Sequence, residues 1–267
     1  MLDENNIEEY FMELAGRQRL EILTELSRGR SKITQMAKKI DATTPEIHRN
    51  FERLEKAGFV EKNDGLFSLS PLGRHVLSTI PSFIFLKQNK KYFETHGFGD
   101  LPDKFVQRVG ALKDTKHIKG FVKVQENSKQ IYENAKKYVY NVLFEVQYSS
   151  DFMHLVFEKT SSNVLLKTIF AENSVIPDER KKALEKSEIK KLIQDNTIER
   201  KMRKQVTITL LMNEKEAAIS FPFKNDNPDV SEMFFGNSSE FHEFVLDYFK
   251  FLWEISNAFN EKRLQNI

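Results

Sequence analysis

The sequence predicts an α+β winged helix-turn-helix domain followed by an α/β domain with a mainly parallel sheet. Residues 33–77 have the pattern of two short helices, a tight turn between them, a β-hairpin and a further helix. After residue 100, strand-like and helix-like patterns alternate, as is typical of α/β domains. With 267 residues, the chain is long enough for both. We expect the two domains at 1–80 and 100–267, with a connecting helix at 81–99.

The first helix of the pair is predicted at residues 32–39, where apolar residues recur at the spacing of one helical face. The turn follows at residues 41–42. Thr43 and Thr44 both suit the N-cap of the second helix. Thr43 with Glu46 fits the spacing of a capping box, whereas Thr44 directly precedes a proline that suits the first helical position. This choice stays open, but a helix is predicted to begin here on either alternative.

The second helix is predicted to bury Ile47, Phe51 and Leu54, which recur at the 3.6-residue period of an α-helix. Gly58 is predicted to end the helix, because the left-handed conformation that terminates many helices is most easily adopted by glycine. The remaining face is polar and carries arginine, asparagine and histidine side chains. Taken alone, this face is also compatible with an ordinary amphipathic surface helix.

The hairpin that follows makes the pattern more specific. Residues 59–60 begin a strand, residues 63–65 (Asn-Asp-Gly) are a typical hairpin turn, and residues 67–70 alternate between apolar and polar. Pro71 then begins another helix, which we predict to end at Ile80. A hairpin placed directly after such a helix is the wing of a winged helix-turn-helix.

A winged helix-turn-helix places the second helix of its pair in the major groove of duplex DNA. Arginine can bind guanine through two hydrogen bonds, and asparagine can do the same with adenine. We expect Arg49 to be the main base or phosphate contact and Lys62 to meet the DNA backbone from the wing. The full set of predicted DNA contacts is Lys32, Thr43, Thr44, His48, Arg49, Asn50, Arg53 and Lys62.

The overall charge does not by itself indicate nucleic-acid binding. The chain has a net charge of +2, and residues 1–80 contain 12 Lys/Arg and 13 Asp/Glu, a net of −1. Residues 28–39, however, contain five basic residues and no acidic one. Because phosphate contacts depend on local charge, we predict a focused basic face, with the acids at 8–25 directed away from the DNA. The alternative is that residues 28–39 form only a solvated surface.

Three segments carry a resemblance to known families. Residues 46–60 resemble the recognition helix of ArsR- and MarR-type repressors, and residues 69–74 resemble the L-T-P-x-G-R segment that follows the wing in those regulators. The third set resembles the opening of the middle domain of archaeal methanogenesis-type (FilR-like) regulators: Phe93, His96, Leu101, Pro102, Phe105, Arg108, Gly110 and Leu112. Together these matches imply an archaeal winged-helix transcriptional regulator.

The α/β domain is predicted from alternating patterns along residues 100–267. Helices are predicted at 103–112, 127–137, 151–159, 178–193 and 241–259, and strands at 118–124, 138–148, 164–170, 206–212, 216–221 and 233–235. The closing helix, 241–259, is aromatic at nearly every turn. It either packs into the core of the domain or presents a self-complementary surface for a dimer, and both readings can hold on different faces.

The α/β domain carries few signs of chemistry. The absence of cysteine excludes a disulfide framework, a thiolate zinc site and a cysteine nucleophile. The six histidines are not paired at metal-ligand spacing, and no nucleotide-binding or hydrolase motif is present. Glu145, inside the apolar run 142–146, is the candidate ligand contact, because ligands of α/β sheets bind beyond the carboxyl ends of the strands. The alternative is that Glu145 faces solvent.

We therefore interpret the chain as a DNA-binding transcriptional regulator that binds a double-stranded operator as a homodimer. Residues 100–267 are expected to sense a small-molecule effector or another signal, and no cofactor is expected. The strand–helix order also resembles that of degenerate phospholipase D-like sensor domains. The non-catalytic interpretation rests on the premise that the H-x-K pair of such enzymes is missing. The rivals are an enzyme that processes a small molecule or phosphodiester and uses the winged helix for targeting, and a winged helix that binds protein.

Membrane attachment is not expected from the sequence. The longest apolar run, near residues 80–86, includes Pro81 and Ser82 and is far shorter than a membrane span. The first six residues are acidic and polar, so a signal peptide is not expected. Together with the lack of cysteine, these features predict a cytoplasmic location.

Overall fold

The computed structural model describes residues 7–144, 150–172, 174–176, 187–260, 263 and 265–266. The chain divides into two compact units, Met1–Pro81 and Ser82–Ile267, which we call the N-terminal and C-terminal units. The predicted fold class is confirmed, since a winged helix-turn-helix precedes an α/β unit. Residues 145–148 of the predicted strand 138–148 and residues 178–186 of the predicted helix 178–193 lie outside the described residues, as does Glu145.

The N-terminal unit follows the order helix, turn, helix, wing and helix. Its elements are α1 (Ile7–Leu14), α2 (Arg17–Ser27), α3 (Ile33–Lys39), α4 (Thr44–Lys56), β1 (Val60–Asn63), β2 (Leu66–Leu69) and the first part of α5 (Pro71–Gln88), which continues beyond Pro81. The strands β1 and β2 pair antiparallel around the turn at Asp64 and Gly65, both of which have positive φ angles. Ser31 adds an isolated bridge to Phe67 at the outer side of this hairpin. These elements form the predicted wing.

Both ends of α4 are fixed by local interactions. The Thr43 hydroxyl accepts a hydrogen bond from the Glu46 amide at 3.4 Å, and the Glu46 carboxylate accepts one from the Thr43 amide at 2.9 Å. Thr43 is therefore the N-cap, which decides the choice that the sequence left open. At the other end, Gly58 has φ +73°, and the next amide donates to the carbonyl of Leu54 at 2.9 Å. This Schellman arrangement confirms the predicted helix end.

A single hydrophobic core supports α4. Ile47, Phe51 and Leu54 are fully buried, as the 3.6-residue period predicted. The ring of Phe51 stacks on that of Phe67 in β2, with a centroid distance of 4.0 Å. The core is completed by side chains of α2, α3 and the wing: Ile22, Leu23, Leu26, Met36, Ala37, Phe59, Val60 and Leu69. The orientation of α4 is thus set by the apolar packing of its buried face against α2, α3 and the wing.

Gly73 marks a close approach between α5 and the chain that leaves α4. A Cβ atom added to Gly73 would lie 2.0 Å from the carbonyl oxygen of Phe59, which is a backbone atom and cannot rotate away. We expect Gly73→Ala to destabilise the N-terminal unit by about 1–3 kcal/mol through overpacking. Urea unfolding followed by far-UV circular dichroism measures this. Gly97→Ala is the control, since its Cβ would meet nothing closer than 4.0 Å, and equal midpoints for the two variants would contradict the prediction.

The helix after the wing is longer than predicted. We predicted an end at Ile80, but α5 continues through Pro81 to Gln88. A proline inside a helix removes one backbone hydrogen bond without removing the others. The predicted connecting range 81–99 therefore contains the end of α5 and a separate short helix, α6 (Lys90–Phe93), rather than one continuous helix.

The C-terminal unit contains the remaining elements. Its helices are α6, α7 (Asp103–Val106), α8 (Phe121–Asn134), α9 (Ser150–Ser161), α10 (Ser187–Gln194) and α11 (Ser239–Ile255), with a 3₁₀ turn at Val109–Leu112. Its strands are β3 (Lys116–Lys119), β4 (Tyr138–Leu143), β5 (Leu165–Ala171), β6 (Val175–Ile176), β7 (Ile198–Arg203), β8 (Thr209–Met212), β9 (Ala217–Ser220), β10 (Glu232–Gly236), β11 (Asn257–Ala258) and β12 (Gln265–Asn266).

The main sheet is mixed, which corrects the expectation of a mainly parallel sheet. Its strand order is β11-β7-β5-β4-β8-β9-β10-β3. Strand β5 pairs parallel with β4 and β7, while the other neighbours in the sheet pair antiparallel. Parallel strands need a crossover such as α9, whereas the short connections from β8 to β9 and from β9 to β10 allow antiparallel pairing. A separate parallel pair joins β6 to β12.

Helices cover both faces of this sheet. On one face, Val142 of β4 and Ile169 of β5 share a core with the closing helix α11. On the other face, Val139 and Leu166 share a core with α8 and α9. The apolar residues of α11 are buried in the first core: Phe241, Phe244, Val245, Tyr248, Phe249 and Leu252. The prediction that the closing helix packs into the core is therefore confirmed.

Two strand predictions need correction. The predicted strand at 118–124 ends at Lys119, because Gly120 has φ +97° and the residues after it begin α8. Strand β7 was missed altogether, since its sequence Ile-Glu-Arg-Lys-Met-Arg is mostly charged. Its long side chains lie along apolar surface instead. For example, the ammonium group of Lys201 lies 5.0 Å from the Trp253 ring centroid.

Candidate nucleic-acid interface

The exposed face of α4 is centred on Arg49. Successive side chains of an α-helix are about 100° apart, so the direction opposite the buried residues of α4 falls on Arg49 and Lys56, with Pro45 and Glu52 beside them. All four of these side chains are exposed. The helix therefore presents a polar ridge with a guanidinium group at its middle.

Arg49 is not held by any side chain that the structure describes. It forms no hydrogen bond or ion pair within the described residues. Hydrogen bonds from Thr43 lower the pKa of the Glu46 carboxyl, and the nearby charge of Arg49 adds a smaller contribution. The Arg49 guanidinium thus lies close to an ionised carboxylate but keeps its donors available. Such a group can bind a base edge or a phosphate.

The other predicted contacts on the exposed side are Thr44, His48, Lys32 and Lys62, which are all exposed. His48 Nδ1 lies 3.5 Å from a Glu52 carboxylate oxygen. The Lys62 ammonium group, on the wing, lies 5.5 Å from the Phe67 ring centroid. The structure therefore places these four side chains on exposed parts of α3, α4 and the wing, where they stay predicted DNA contacts.

Asn50 and Arg53 are engaged inside the N-terminal unit instead. Asn50 Nδ2 donates to Gln18 Oε1 at 2.9 Å. Arg53 makes a two-pronged contact with Glu13, from Nε at 2.9 Å and from Nη2 at 2.7 Å. These interactions join α4 to α1 and α2. A DNA contact by either residue would require that the existing bond is broken, and Thr43 is likewise occupied as the N-cap.

Two acids of the first two helices pair with basic side chains that were predicted to form the basic face. Glu13 pairs with Arg53, and Glu25 contacts Arg28 and lies 3.7 Å from the Lys39 ammonium group. Within the described residues, three basic side chains of the segment 28–39 have no ion pair: Arg30, Lys32 and Lys38. The focused basic face is therefore smaller than the sequence indicated.

The Glu13 pair makes the N-terminal unit sensitive to acid. The hydrogen bond from Arg53 lowers the pKa of Glu13 below its ordinary value of 4.5, with the charge of Arg19 adding to the effect. Because the pKa of Glu13 is lower in the folded state than in the unfolded state, the ionised carboxylate stabilises the fold at pH values above its unfolded-state pKa. This stabilisation is lost as the pH falls through the folded-state pKa. We expect Glu13→Gln to lower the urea midpoint at pH 7 but to differ little from the parent near pH 3. Glu61→Gln, on the exposed wing, is the control, and an equal Glu13→Gln difference at both pH values would refute this.

The premise that the H-x-K pair is missing is wrong, because His117-Ile118-Lys119 has this spacing. Both side chains belong to the edge strand β3 and both face Glu232. His117 Nε2 lies 2.6 Å and Lys119 Nζ 3.6 Å from the same carboxylate oxygen, although the histidine contact is poorly aligned as a hydrogen bond. Burial lowers the pKa of His117. The Glu232 carboxylate would repel a phosphate. His117 and Lys119 therefore do not form an anion-binding site in this arrangement.

The buried histidine His96 ties distant segments of the C-terminal unit together. His96 Nε2 lies 3.2 Å from Asp229 Oδ2, and its Nδ1 lies 3.0 Å from the Tyr92 carbonyl oxygen. The His96 ring also stacks on Tyr92 at 3.8 Å. Sequence reasoning missed this cluster, because His96 and Asp229 are too far apart in the chain to form a recognisable motif.

Within the described residues, no three histidine or acidic side chains lie close enough together to hold a metal ion. Among the helices that the structure describes, none is long and apolar enough to cross a bilayer. Glu145 lies outside the described residues, so its role as a ligand contact stays a prediction.

Comparison with protein families gives a match in the N-terminal unit. Residues 17–62, which run from α2 into β1, match the family described as bacterial regulatory protein, arsR family. The chain therefore carries an ArsR-family helix-turn-helix in this segment. The resemblance of residues 93–112 to FilR-like regulators stays a prediction. No match was found among curated protein sequences.

Several solved structures are similar to the chain at low identity. TrmBL2, described as an archaeal chromatin protein with a novel mode of DNA binding, is 11% identical, with 91% of this chain and 94% of that chain covered and a TM-score of 0.43. Nuc from Salmonella typhimurium, a phospholipase D family member, is 11% identical, with 55% of this chain and 99% of that chain covered and a TM-score of 0.40. NucT from Helicobacter pylori is 10% identical, with 55% of this chain and 100% of that chain covered and a TM-score of 0.38. Scores below 0.5 carry no functional argument.

Proposed function

We propose that the N-terminal unit binds duplex DNA and that the chain is a transcriptional regulator. The observation that carries this proposal is the exposed face of α4, centred on an arginine that no described side chain holds, within an ArsR-family helix-turn-helix. The caps at both ends of α4 and the wing beside it fix the direction of this face. A helix of this kind fits the major groove of B-form DNA.

The proposed contacts fall into three groups. Arg49 reads a base edge or binds a phosphate, with Thr44 and His48 beside it. Lys32 and Lys62 bind phosphates from the start of α3 and from the wing. The remaining predicted contacts, Thr43, Asn50 and Arg53, act mainly by holding α4 in place, since each already has a partner inside the unit.

The proposal includes a homodimer and a sensor. Binding to two half-sites by two copies would double the phosphate contacts that Lys32 and Lys62 of one copy are proposed to make. The C-terminal unit would bias the arrangement of the two recognition helices when its effector binds, which requires unequal affinity of the effector for the two states. An archaeal source and a cytoplasmic location belong to the same proposal.

We propose no catalytic role for the C-terminal unit. The observation against the enzyme rival is the position of Glu232, which faces both His117 and Lys119 and would oppose an anionic substrate. The unit therefore fits a binding function better than phosphodiester hydrolysis.

Selection of duplexes from a random-sequence library by the full chain tests the proposal. The expected result is an enriched sequence that binds at least about 1,000-fold more tightly than its scrambled duplex at the same salt concentration. The same sequence as a single strand is the control for simple attraction between charges. Absence of enrichment, or equal affinity for single and double strands, would overturn the proposal.

A further inference from the structure

The C-terminal unit contains a cavity between its sheet and the helices α8 and α9. The space holds about 160 Å³ accessible to water and is lined mainly by apolar side chains, including Leu143, Phe152, Val156, Leu166 and Leu211. A cavity of this size, about 150 Å³ in an engineered case, accommodates a benzene-sized molecule.

Two polar side chains lie side by side on the sheet face that lines the cavity. Asn141 of β4 and Thr168 of β5 are direct partners in the parallel register, so both project from the same face. Both line the cavity, and their exposed fractions are only 1% and 4%. On the other side of Asn141 its register partner in β8 is the apolar Leu211. Asn141 and Thr168 thus form a polar spot within a wall that is mainly, though not entirely, apolar.

This polar spot has unused hydrogen-bonding capacity. Asn141 Nδ2 donates to the Tyr132 hydroxyl at 2.8 Å, while Asn141 Oδ1 is buried and has no hydrogen-bond partner among the residues that the structure describes. Exchanging the amide oxygen and nitrogen would leave the amide nitrogen unpaired instead. The Thr168 hydroxyl also makes no hydrogen bond within the described residues. Native proteins rarely leave buried polar groups unpaired, which points to a ligand that supplies the missing partners.

We propose that this cavity binds a small, neutral, largely apolar molecule that carries a hydroxyl group. The hydroxyl donates to Asn141 Oδ1 and accepts from the Thr168 hydroxyl, while the apolar part fills the space against α8 and α9. Three charged side chains also line the cavity, but each already has a partner. Asp229 pairs with His96, Glu232 with His117 and Lys119, and the Arg200 guanidinium lies 4.1 Å from the Phe259 ring centroid. A charged ligand is therefore disfavoured, because burying an ion against this mainly apolar wall costs far more than burying a hydroxyl. Ligand binding by this cavity does not depend on the proposed function. Only its role as the effector site rests on the proposal that the chain is a ligand-sensing regulator.

Three variants separate the hydrogen bonds from the shape of the cavity. Thr168→Val keeps the volume and removes the hydroxyl, and Asn141→Leu removes the carboxamide. Thr160→Val is the matched control. Thr160 lines the same cavity, but its hydroxyl already bonds to the Val156 and Phe157 carbonyls at 2.9 and 3.2 Å. Thr168→Val keeps the test decisive if Asn141→Leu does not fold.

Titration calorimetry of the full chain with phenol and with benzene tests the site. We expect phenol to bind about tenfold more tightly than benzene to the parent and to Thr160→Val. In Thr168→Val and Asn141→Leu, this preference should disappear while benzene binding remains. Equal affinity of the parent for the two probes, no binding of either, or a phenol preference that survives in Thr168→Val would overturn the proposal.

Duplex binding in the same samples separates the two proposals. If the site is the effector site, saturating phenol changes the affinity for the selected duplex severalfold in the parent and not in Thr168→Val. An unchanged duplex affinity overturns the effector role of the cavity but leaves DNA binding intact. A chain that binds phenol as expected but selects no duplex overturns the proposed function and not the cavity.

Discussion

Arg49→Ala is expected to weaken binding to the selected duplex by about 1–3 kcal/mol, which is roughly 5- to 150-fold. Arg49 is the central exposed side chain of α4, and within the described residues its guanidinium group has no competing partner. Truncation therefore removes a DNA contact without breaking an internal one. Fluorescence anisotropy of a labelled duplex measures the loss, with unfolding midpoints recorded in parallel.

Two further variants make this result specific. Arg49→Lys keeps the charge but loses the planar guanidinium group that can bind guanine through two hydrogen bonds. If Arg49 contacts a phosphate, Arg49→Lys should bind the duplex as tightly as the parent. If Arg49 contacts a base, Arg49→Lys should bind as weakly as Arg49→Ala. Arg17→Ala is the control, since Arg17 is an exposed arginine of α2 that pairs with Glu21. An Arg49→Ala affinity equal to that of the parent would remove Arg49 from the interface.

Phe51→Ala is expected to have the largest effect on stability, about 3–5 kcal/mol, which approaches the whole stability of a small domain. Phe51 is fully buried, and its ring stacks on Phe67 of the wing. Its loss would leave a cavity beneath the centre of α4 and detach that helix from the wing. Amide hydrogen exchange reads the N-terminal unit separately from the C-terminal unit.

The matched control for this substitution is Phe11→Ala. The Phe11 side chain of α1 is 63% exposed, so its truncation should change stability by less than about 0.5 kcal/mol. Phe51→Ala should accelerate exchange of the α4 amides, whereas amides of the C-terminal unit should exchange as in the parent. If the α4 amides of Phe51→Ala exchange as in the parent, packing around Phe51 does not stabilise the helix.

The winged helix-turn-helix could be predicted because its signals are local. The capping box of Thr43 and Glu46, the glycine at the end of α4 and the hairpin turn each depend on residues fewer than six positions apart. The helical period also identified the buried face of α4. It could not show which side chains meet the flanks of that helix, since the partner of Arg53 is Glu13, in a different helix.

The C-terminal unit was harder to predict for related reasons. Apolar strands such as β4 and β5 were recognisable, but β7 is mostly charged and was missed. The sheet was expected to be mainly parallel because strands and helices alternate in the sequence, but a short connection such as that from β8 to β9 pairs its strands antiparallel. Contacts such as those between His96 and Asp229, or between Asn141 and Thr168, follow from the fold and strand register and have no local signature.

The salt dependence of duplex binding tests the central claim most directly. The affinity of the full chain for the selected duplex would be measured by anisotropy between about 50 and 200 mM salt, and the logarithm of the association constant plotted against that of the salt concentration. If α4 and the wing bind DNA as proposed, the plot falls with a slope of magnitude about 3 or more, since each phosphate contact contributes roughly 0.9. A flat plot, or no duplex binding at the lowest salt concentration, would contradict the account.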